Sequence, residues 1–303
     1  MTSPTSHLLG WRRARRSSAL PYVLLIPAIA VLGFMLGYPL YRLVVLAVHD
    51  YGLKQVFGTP AEFIGLDNFR EILGDDEFWT VLWRTLIFCV VNVVLTIVVG
   101  TIVALLLQAL GPKMRTFVAT ALILAWAMPP LSATIVWQWM FDTQYGLVNW
   151  LLQTPRHGWF AEPLTFFMVA TIIVVWMGVP FVAFTLYAGL SQIPDSLLEA
   201  AHLDGATFRQ RFRYVVFPML KPILLIVTSL SVLWDFRVFT QIYVLQKAGG
   251  ISRETNLLGV YAYRISIGEN EYGVGAAVAI VMVAITVLLT ITYLRSMLRD
   301  QEA

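Results

Sequence analysis

The chain has 303 residues, of which 58% are hydrophobic and 13% charged, with a mean hydropathy of +0.74 and a formal net charge of +3. Soluble domains run about 45–50% apolar and about 25% charged, so a water-soluble enzyme is excluded, and so is a disordered chain, which is poor in apolar and aromatic residues. The one cysteine, Cys89, and four scattered histidines (His7, His49, His157, His202) offer neither an internal disulfide nor the spacing of a Cys/His metal site.

The first segment, 1–19, is a basic tail carrying Arg12, Arg13, Arg15 and Arg16. It reads as a topogenic anchor facing lipid headgroups, and nucleic-acid binding is not expected of it. Six apolar segments follow, at 20–48, 81–109, 117–141, 164–190, 222–244 and 274–294. Each has about the 20 residues that a helix needs to cross about 30 Å of hydrocarbon. The first far exceeds the apolar core of a cleavable signal peptide. Strand-like alternation is absent, so the spans are helices and the fold class is an all-α membrane protein. The membrane domain is 20–294, and 295–303 is a second tail.

Charge sets the orientation. Twelve Lys and Arg lie in the two tails and the 110–116 and 191–221 loops, against six in the other three loops. The positive-inside rule then expects both termini and the 191–221 loop in the cytoplasm.

Within the spans, ionisable and polar residues are costly and mark function. Arg42 and Arg84 lie near span ends, where long side chains can snorkel. Asp235 and Arg237 lie near the middle of span five. Two residues apart on a straight helix, they point to different faces and each needs another partner, either structural or the transported solute. Pro129-Pro130 in span three and Pro180 in span four remove backbone donors at similar depth, which is tolerated where a cavity or protein satisfies the freed carbonyls. Trp126, Trp176 and Trp234 lie at that depth too. Sugars pack C–H faces on aromatic rings while groups such as Asn92, Gln138, Asp235 or Gln241 take hydroxyls; helix packing explains the same tryptophans equally well. The candidate solute path is therefore Asn92, Trp126, Trp176, Trp234, Asp235, Arg237 and Gln241. Trp79, Trp83, Trp139, Trp150 and Trp159 read as an interfacial belt.

The 191–221 loop is built like folded structure. Ser196-Leu197-Leu198-Glu199 has the form of a capping box opening a short helix, and Gly205 is placed to end it. Thr207-Phe208-Arg209-Gln210 is a second box. Phe208, Phe212 and Val215 or Val216 then form one apolar stripe, and Pro218 and Pro222 close the unit before span five. The pattern alone is a helix–turn–helix at the membrane surface, either a plain connector or a docking element.

Glu199-Ala200-Ala201-His202-Leu203-Asp204-Gly205-Ala206, with Phe212, Pro218 and Pro222, resembles the EAA loop of ABC-importer permeases. Phe63-Ile64-Gly65-Leu66-Asp67-Asn68-Phe69 and Phe236-Arg237-Val238-Phe239 with Ile242-Tyr243-Val244-Leu245 and Gly249-Gly250 are similar to segments of the carbohydrate branch typified by the maltose permease F subunit. Thr240 and Gln246 depart from that branch's usual aspartate and threonine. The resemblance implies a type I ABC-importer permease fold in a bacterial inner membrane. Glu199, Ala200, Ala201, Asp204, Gly205 and Ala206 would form a coupling helix docked on a cytoplasmic ATPase. Implied partners are a second permease, two copies of that ATPase, an extracytoplasmic solute-binding protein and the lipid bilayer, with a carbohydrate as solute and glycerol phosphate or a polyol as the alternative. ATP and Mg would be used by the ATPase; no G-x-x-x-x-G-K-[ST] occurs here, and no cofactor is expected on this chain.

Overall fold

In the computed structural model the chain is described over residues 20–302, with side chains from 24 to 295, so the basic tail of 1–19 lies outside the described residues. Helix α1 (Leu20–Ala47) leads to the two-residue antiparallel pair β1 (His49–Asp50) and β2 (Glu62–Phe63), which brackets α2 (Leu53–Val56). Then come α3 (Asp67–Gly74), α4 (Asp76–Ala109), α5 (Pro112–Trp126), α6 (Pro130–Met140), α7 (Leu147–Leu152) and α8 (Pro163–Leu190). The second half holds α9 (Asp195–Leu203), α10 (Phe208–Arg211), α11 (Phe217–Asp235), α12 (Thr240–Lys247), α13 (Ser252–Thr255), α14 (Leu258–Tyr263) and α15 (Tyr272–Glu302). Two five-residue π segments, Phe212–Val216 and Arg264–Gly268, interrupt it.

Five of the six expected spans are long apolar helical stretches. The third is not straight. Its halves α5 and α6 meet at 99°, because Pro129 and Pro130 withhold two consecutive backbone donors. Pro180 has no such effect, and α8 runs through it without a break. Nor do Pro218 and Pro222 separate the loop from span five. Pro218 sits in the first turn of α11, where no donor is needed, and the π segment Phe212–Val216 takes up the change of register before it.

The bundle centres on α4 against α8. Small residues make the crossing close: a Cβ on Gly178 would lie 2.9 Å from Thr96 Cγ2. At one end of the bundle, Ile72, Phe78, Val81, Tyr261 and Ala277 build a core from α3, α4, α14 and α15. At the other, Ala104, Val182, Leu186, Val216 and Leu220 join α4 and α8 to the base of the α9–α10 hairpin. A third cluster, with Phe166, Ile173, Ile242 and Leu245, holds α12 against α8.

The two arginines at span ends differ. Arg42 is exposed, whereas Arg84 Nη1 donates to the carbonyls of Asn256 (3.2 Å) and Arg253 (3.4 Å), tying α4 to the loop after span five. Arg115 closes the C-terminus of α4, donating to Leu107 O (2.9 Å) and Leu110 O (2.8 Å), where a cation also faces the negative end of the helix dipole. Trp79, Trp83, Trp139 and Trp150 are exposed as a belt requires. Trp159 is not: it is buried, and its indole donates to Asn149 Oδ1 at 2.7 Å, so it is the core of the 141–163 loop.

Candidate functional site

Span five breaks at the depth where the polar residues cluster. Helix α11 ends at Asp235, and α12 begins at Thr240. The last turn tightens, with Arg237 N–H donating to Trp234 O (3.1 Å) and Val238 N–H to Asp235 O (3.4 Å), and Phe239 leaves helical geometry at φ −126°. The bend of span three faces this break across a cavity of about 420 Å³. Irregular backbone at membrane depth is tolerated only where protein or a water-filled cavity serves its polar groups, so two breaks facing one cavity are mutually consistent.

Five of the seven candidate path residues line that cavity: Trp126, Trp234, Asp235, Arg237 and Gln241. Asp235 is buried, and its Oδ2 has no hydrogen-bond partner. Arg237 forms no ion pair with it; the guanidinium Nε instead donates to Leu233 O, four residues back, at 2.9 Å. Gln241 is buried with its amide 3.4 Å from Met177 Sδ. The ring of Phe181 joins the two tryptophans, stacked on Trp126 (6.3 Å) and edge-on to Trp234 (4.9 Å). An acceptor, an amide and two exposed indoles around one volume suit a polar ligand with apolar ring faces.

The other two candidates lie elsewhere. Asn92 is fully buried on α4, donating to Phe88 O at 2.7 Å with Oδ1 unpartnered, and does not line the cavity. Trp176 packs edge-on against Trp137 of α6 and is likewise absent from its wall. Of the other lining residues, Met128 and Met177 carry no sequence signal, because nothing in their type separates them from packing residues, and Phe239 and Thr240 stand out only through the family-like segment and not as path residues.

The α9–α10 hairpin is the second element of interest. Helix α9 starts at Asp195 with Pro194 as N-cap, so Ser196 already lies inside the first turn, and the Ser196–Glu199 box does not form. The second box does: Thr207 N–H donates to Gln210 Oε1 (2.8 Å), and Gln210 N–H to Thr207 Oγ1 (3.4 Å). Gly205 adopts φ +77°, Gly205 N–H donates to His202 O, and Ala206 N–H donates to Ala201 O, both at 3.0 Å. That is a left-handed glycine stop, which turns the chain sharply after α9. Leu198 and Ala201 are half-buried towards the body, while Glu199, Ala200, Leu203 and Asp204 are exposed, Leu203 to 87%.

Residues 96–296 match the family described as the binding-protein-dependent transport system inner membrane component. The chain belongs to this family. It is 43% identical to the diacetylchitobiose uptake system permease protein DasB of Streptomyces coelicolor, across 96% of this chain and 90% of that one. It is 31% identical to the trehalose/maltose transport system permease protein MalF of Thermococcus litoralis, across 92% and 94%. Its fold matches a bacterial ABC transporter involved in the import of the acidic polysaccharide alginate, with a TM-score of 0.79 at 20% identity, covering 92% of this chain and 95% of that one. The protein is thus a multi-pass inner-membrane permease subunit of an ABC importer, with the type I permease fold, and its family is a transport component and not an enzyme.

Proposed function

We propose that this permease carries an oligosaccharide along a path that includes the 420 Å³ cavity between the broken spans three and five. The observation that carries the reading is the convergence of Asp235, Gln241 and two tryptophans on that cavity. A carboxylate takes sugar hydroxyls, and indoles take the C–H faces of the ring. The names of the relatives above support a saccharide. Glycerol phosphate is not favoured, since the solutes in the names of the relatives above are saccharides.

Both termini and the α9–α10 hairpin face the cytoplasm in this reading, as the basic residues of that end require. Helix α9 docks on an ATPase subunit, presenting Glu199, Ala200, Leu203 and Asp204, with Ala201, Gly205 and Ala206 shaping its turn. A second permease completes the path, and a solute-binding protein delivers the sugar at the opposite end. ATP and Mg are consumed by the ATPase pair. Co-reconstitution of the four components in vesicles tests the reading: ATP-dependent uptake of a labelled disaccharide is expected, and Trp234→Ala is expected to raise its KM. Transport that proceeds without the ATPase overturns the coupling assignment, and transport indifferent to Trp234 overturns the path.

A further inference from the structure

A groove of about 770 Å³ runs between α4 and α11 and ends at the α10 turn of the hairpin. Its α4 wall includes Ile97, Val98, Ile102 and Leu105, and its α11 wall includes Leu224 and Leu225. From Ile97 to Leu105 it extends about 12 Å along the helix axis, at about 1.5 Å per residue. It shares no lining residue with the mid-membrane cavity. Thr101 also lines it, but the hydroxyl donates to Ile97 O at 2.6 Å within α4, so its proton is spent inside the helix. A wall of this kind suits a hydrocarbon chain and not a sugar.

The mouth of the groove has the opposite character. Phe208 opens α10 and Phe217 opens α11, and both rings line it. Phe208 is 66% exposed, although the Thr207–Gln210 box fixes its backbone. Arg209 and Lys221 line the same mouth and are exposed, and no carboxylate lines the groove with them among the described residues. The Arg209 guanidinium makes no ion pair or hydrogen bond among the described residues. Lys221 lies one residue before the apolar segment of span five, so the two cations sit at headgroup depth while the leucines lie in hydrocarbon. A short helix with apolar rings on one side and basic residues on the other lies in that plane.

An apolar slot with two cations at its surface end matches the shape of an anionic phospholipid, and basic pockets between spans hold anionic headgroups in this way. A spanning helix of a second permease also fills a slot. At headgroup depth, however, such helices carry Trp, Tyr, Lys and Arg, which do not neutralise two cations. Charge complementarity therefore favours the lipid.

We propose that this groove binds one anionic phospholipid, whose acyl chain packs between α4 and α11 and whose phosphate is held by Arg209 and Lys221. The lipid touches Phe208 and Phe212 of the hairpin and the leucines of α11 at once, so it fastens the hairpin to the spans. The proposal concerns the membrane surface and is independent of which solute is carried.

The test is lipid retention. The full chain, alone and assembled with its second permease and ATPases, is reconstituted in phosphatidylcholine vesicles containing phosphatidylglycerol. It is then extracted in mild detergent, and the bound lipids are counted by native mass spectrometry. Wild type is expected to retain phosphatidylglycerol at about threefold above its share of the bilayer, alone and assembled. The double variant Arg209→Gln/Lys221→Gln is expected to bring that ratio down to the bilayer's, and Arg209→Lys/Lys221→Arg to keep it. Arg213→Gln, at an exposed cation outside the groove, is expected to change nothing. Ile102→Trp fills the slot from an exposed position and leaves both cations, and it is expected to lower retention of both lipids. It decides the matter on its own should the double glutamine variant fail to assemble: unchanged retention in Ile102→Trp overturns the site. So does a wild type that retains the two lipids in bilayer proportion. A loss as large in Arg213→Gln overturns it in favour of general surface charge. Enrichment in the lone chain that vanishes on assembly overturns it in favour of the second permease as the occupant.

Discussion

Gly100 of α4 and Val182 of α8 approach so closely that a Cβ on Gly100 would lie 2.7 Å from Val182 Cβ. Both atoms are fixed by backbone, so no rotamer relieves the contact. Gly189 makes a similar approach further along α8, where a Cβ would press on Ile223 Cδ1 and lie 3.0 Å from Leu220 Cδ2, but there both neighbours are the ends of flexible side chains. Gly100→Ala is therefore expected to cost about 1–3 kcal/mol, the range for overpacking a tight interior. The check is a lower thermal unfolding midpoint in lipid nanodiscs, with partial recovery in the Gly100→Ala/Val182→Ala double variant. Gly189→Ala is expected to do less. Equal effects at the two glycines would show that the crossing of α4 and α8 is not the rigid centre of the bundle.

The separation of Asn92 from the cavity gives a second expectation. Gln241→Ala and Asp235→Asn alter groups on the cavity wall, and each is expected to raise KM for the transported sugar by about threefold to tenfold, the usual worth of one hydrogen bond. Asn92→Leu changes a buried amide that donates within its own helix and has an unpartnered oxygen. An apolar group of similar shape there is expected to leave KM unchanged and stability equal or slightly higher. A KM effect at Asn92 as large as that at Gln241 would place Asn92 on the path after all.

The difference between those residues was not legible from composition or depth. Polarity within an apolar run marks Asn92 and Gln241 alike, and only the tertiary packing of α4 and of α12 decides that one is enclosed and the other lines a cavity. The bend of span three was legible, because Pro129-Pro130 removes two donors in a row. The break after Asp235 was not, since no proline or glycine occurs between Trp234 and Thr240; tertiary packing of Phe236 and Val238 outweighs helix propensity there. Gly205 was placed correctly, because a left-handed residue after an exposed helix has few alternatives to glycine. The Ser196 box failed by two residues: with α9 starting at Asp195 the cap is Pro194, and the serine lies inside the first turn. Trp159 shows the same limit from the other side, a belt-type residue by sequence that Asn149 holds inside.

At the hairpin, Gly205 separates conformation from space. No atom lies within 4 Å of a Cβ built there, so substitution is penalised by φ +77° alone. A β-branched residue is expected to cost about 1–2 kcal/mol at that angle, whereas asparagine tolerates it. Gly205→Val is expected to reduce ATPase co-purification and sugar-stimulated ATP hydrolysis several-fold, and Gly205→Asn to leave both near wild type. Glu199→Lys, a charge reversal on the exposed face, is expected to weaken co-purification without changing the thermal midpoint of the permease alone. If Glu199→Lys and Gly205→Val both assemble and turn over as wild type does, α9 is only a connector.

The last expectation concerns pH. Outside the spans, Tyr261 of α14 donates to Asp75 Oδ2 at 2.9 Å and ties the loop after span five to the start of α4. Burial holds its phenol above the ordinary tyrosine value, and the hydrogen bond to Asp75 and the charges of Asp75 and Glu77 push the same way, with Arg264 opposing. The neutral phenol is thus favoured in the folded state, and the unfolded chain loses its proton first, near pH 10. Stability from this group is complete below that pH and is lost as pH rises above it, towards the higher folded value. The unfolding midpoint of wild type is expected to fall more steeply between about pH 10 and 11 than that of Tyr261→Phe, which starts lower for want of the hydrogen bond but carries no phenol to titrate. Parallel curves for the two proteins would show that Tyr261 does not sense alkaline pH through this contact.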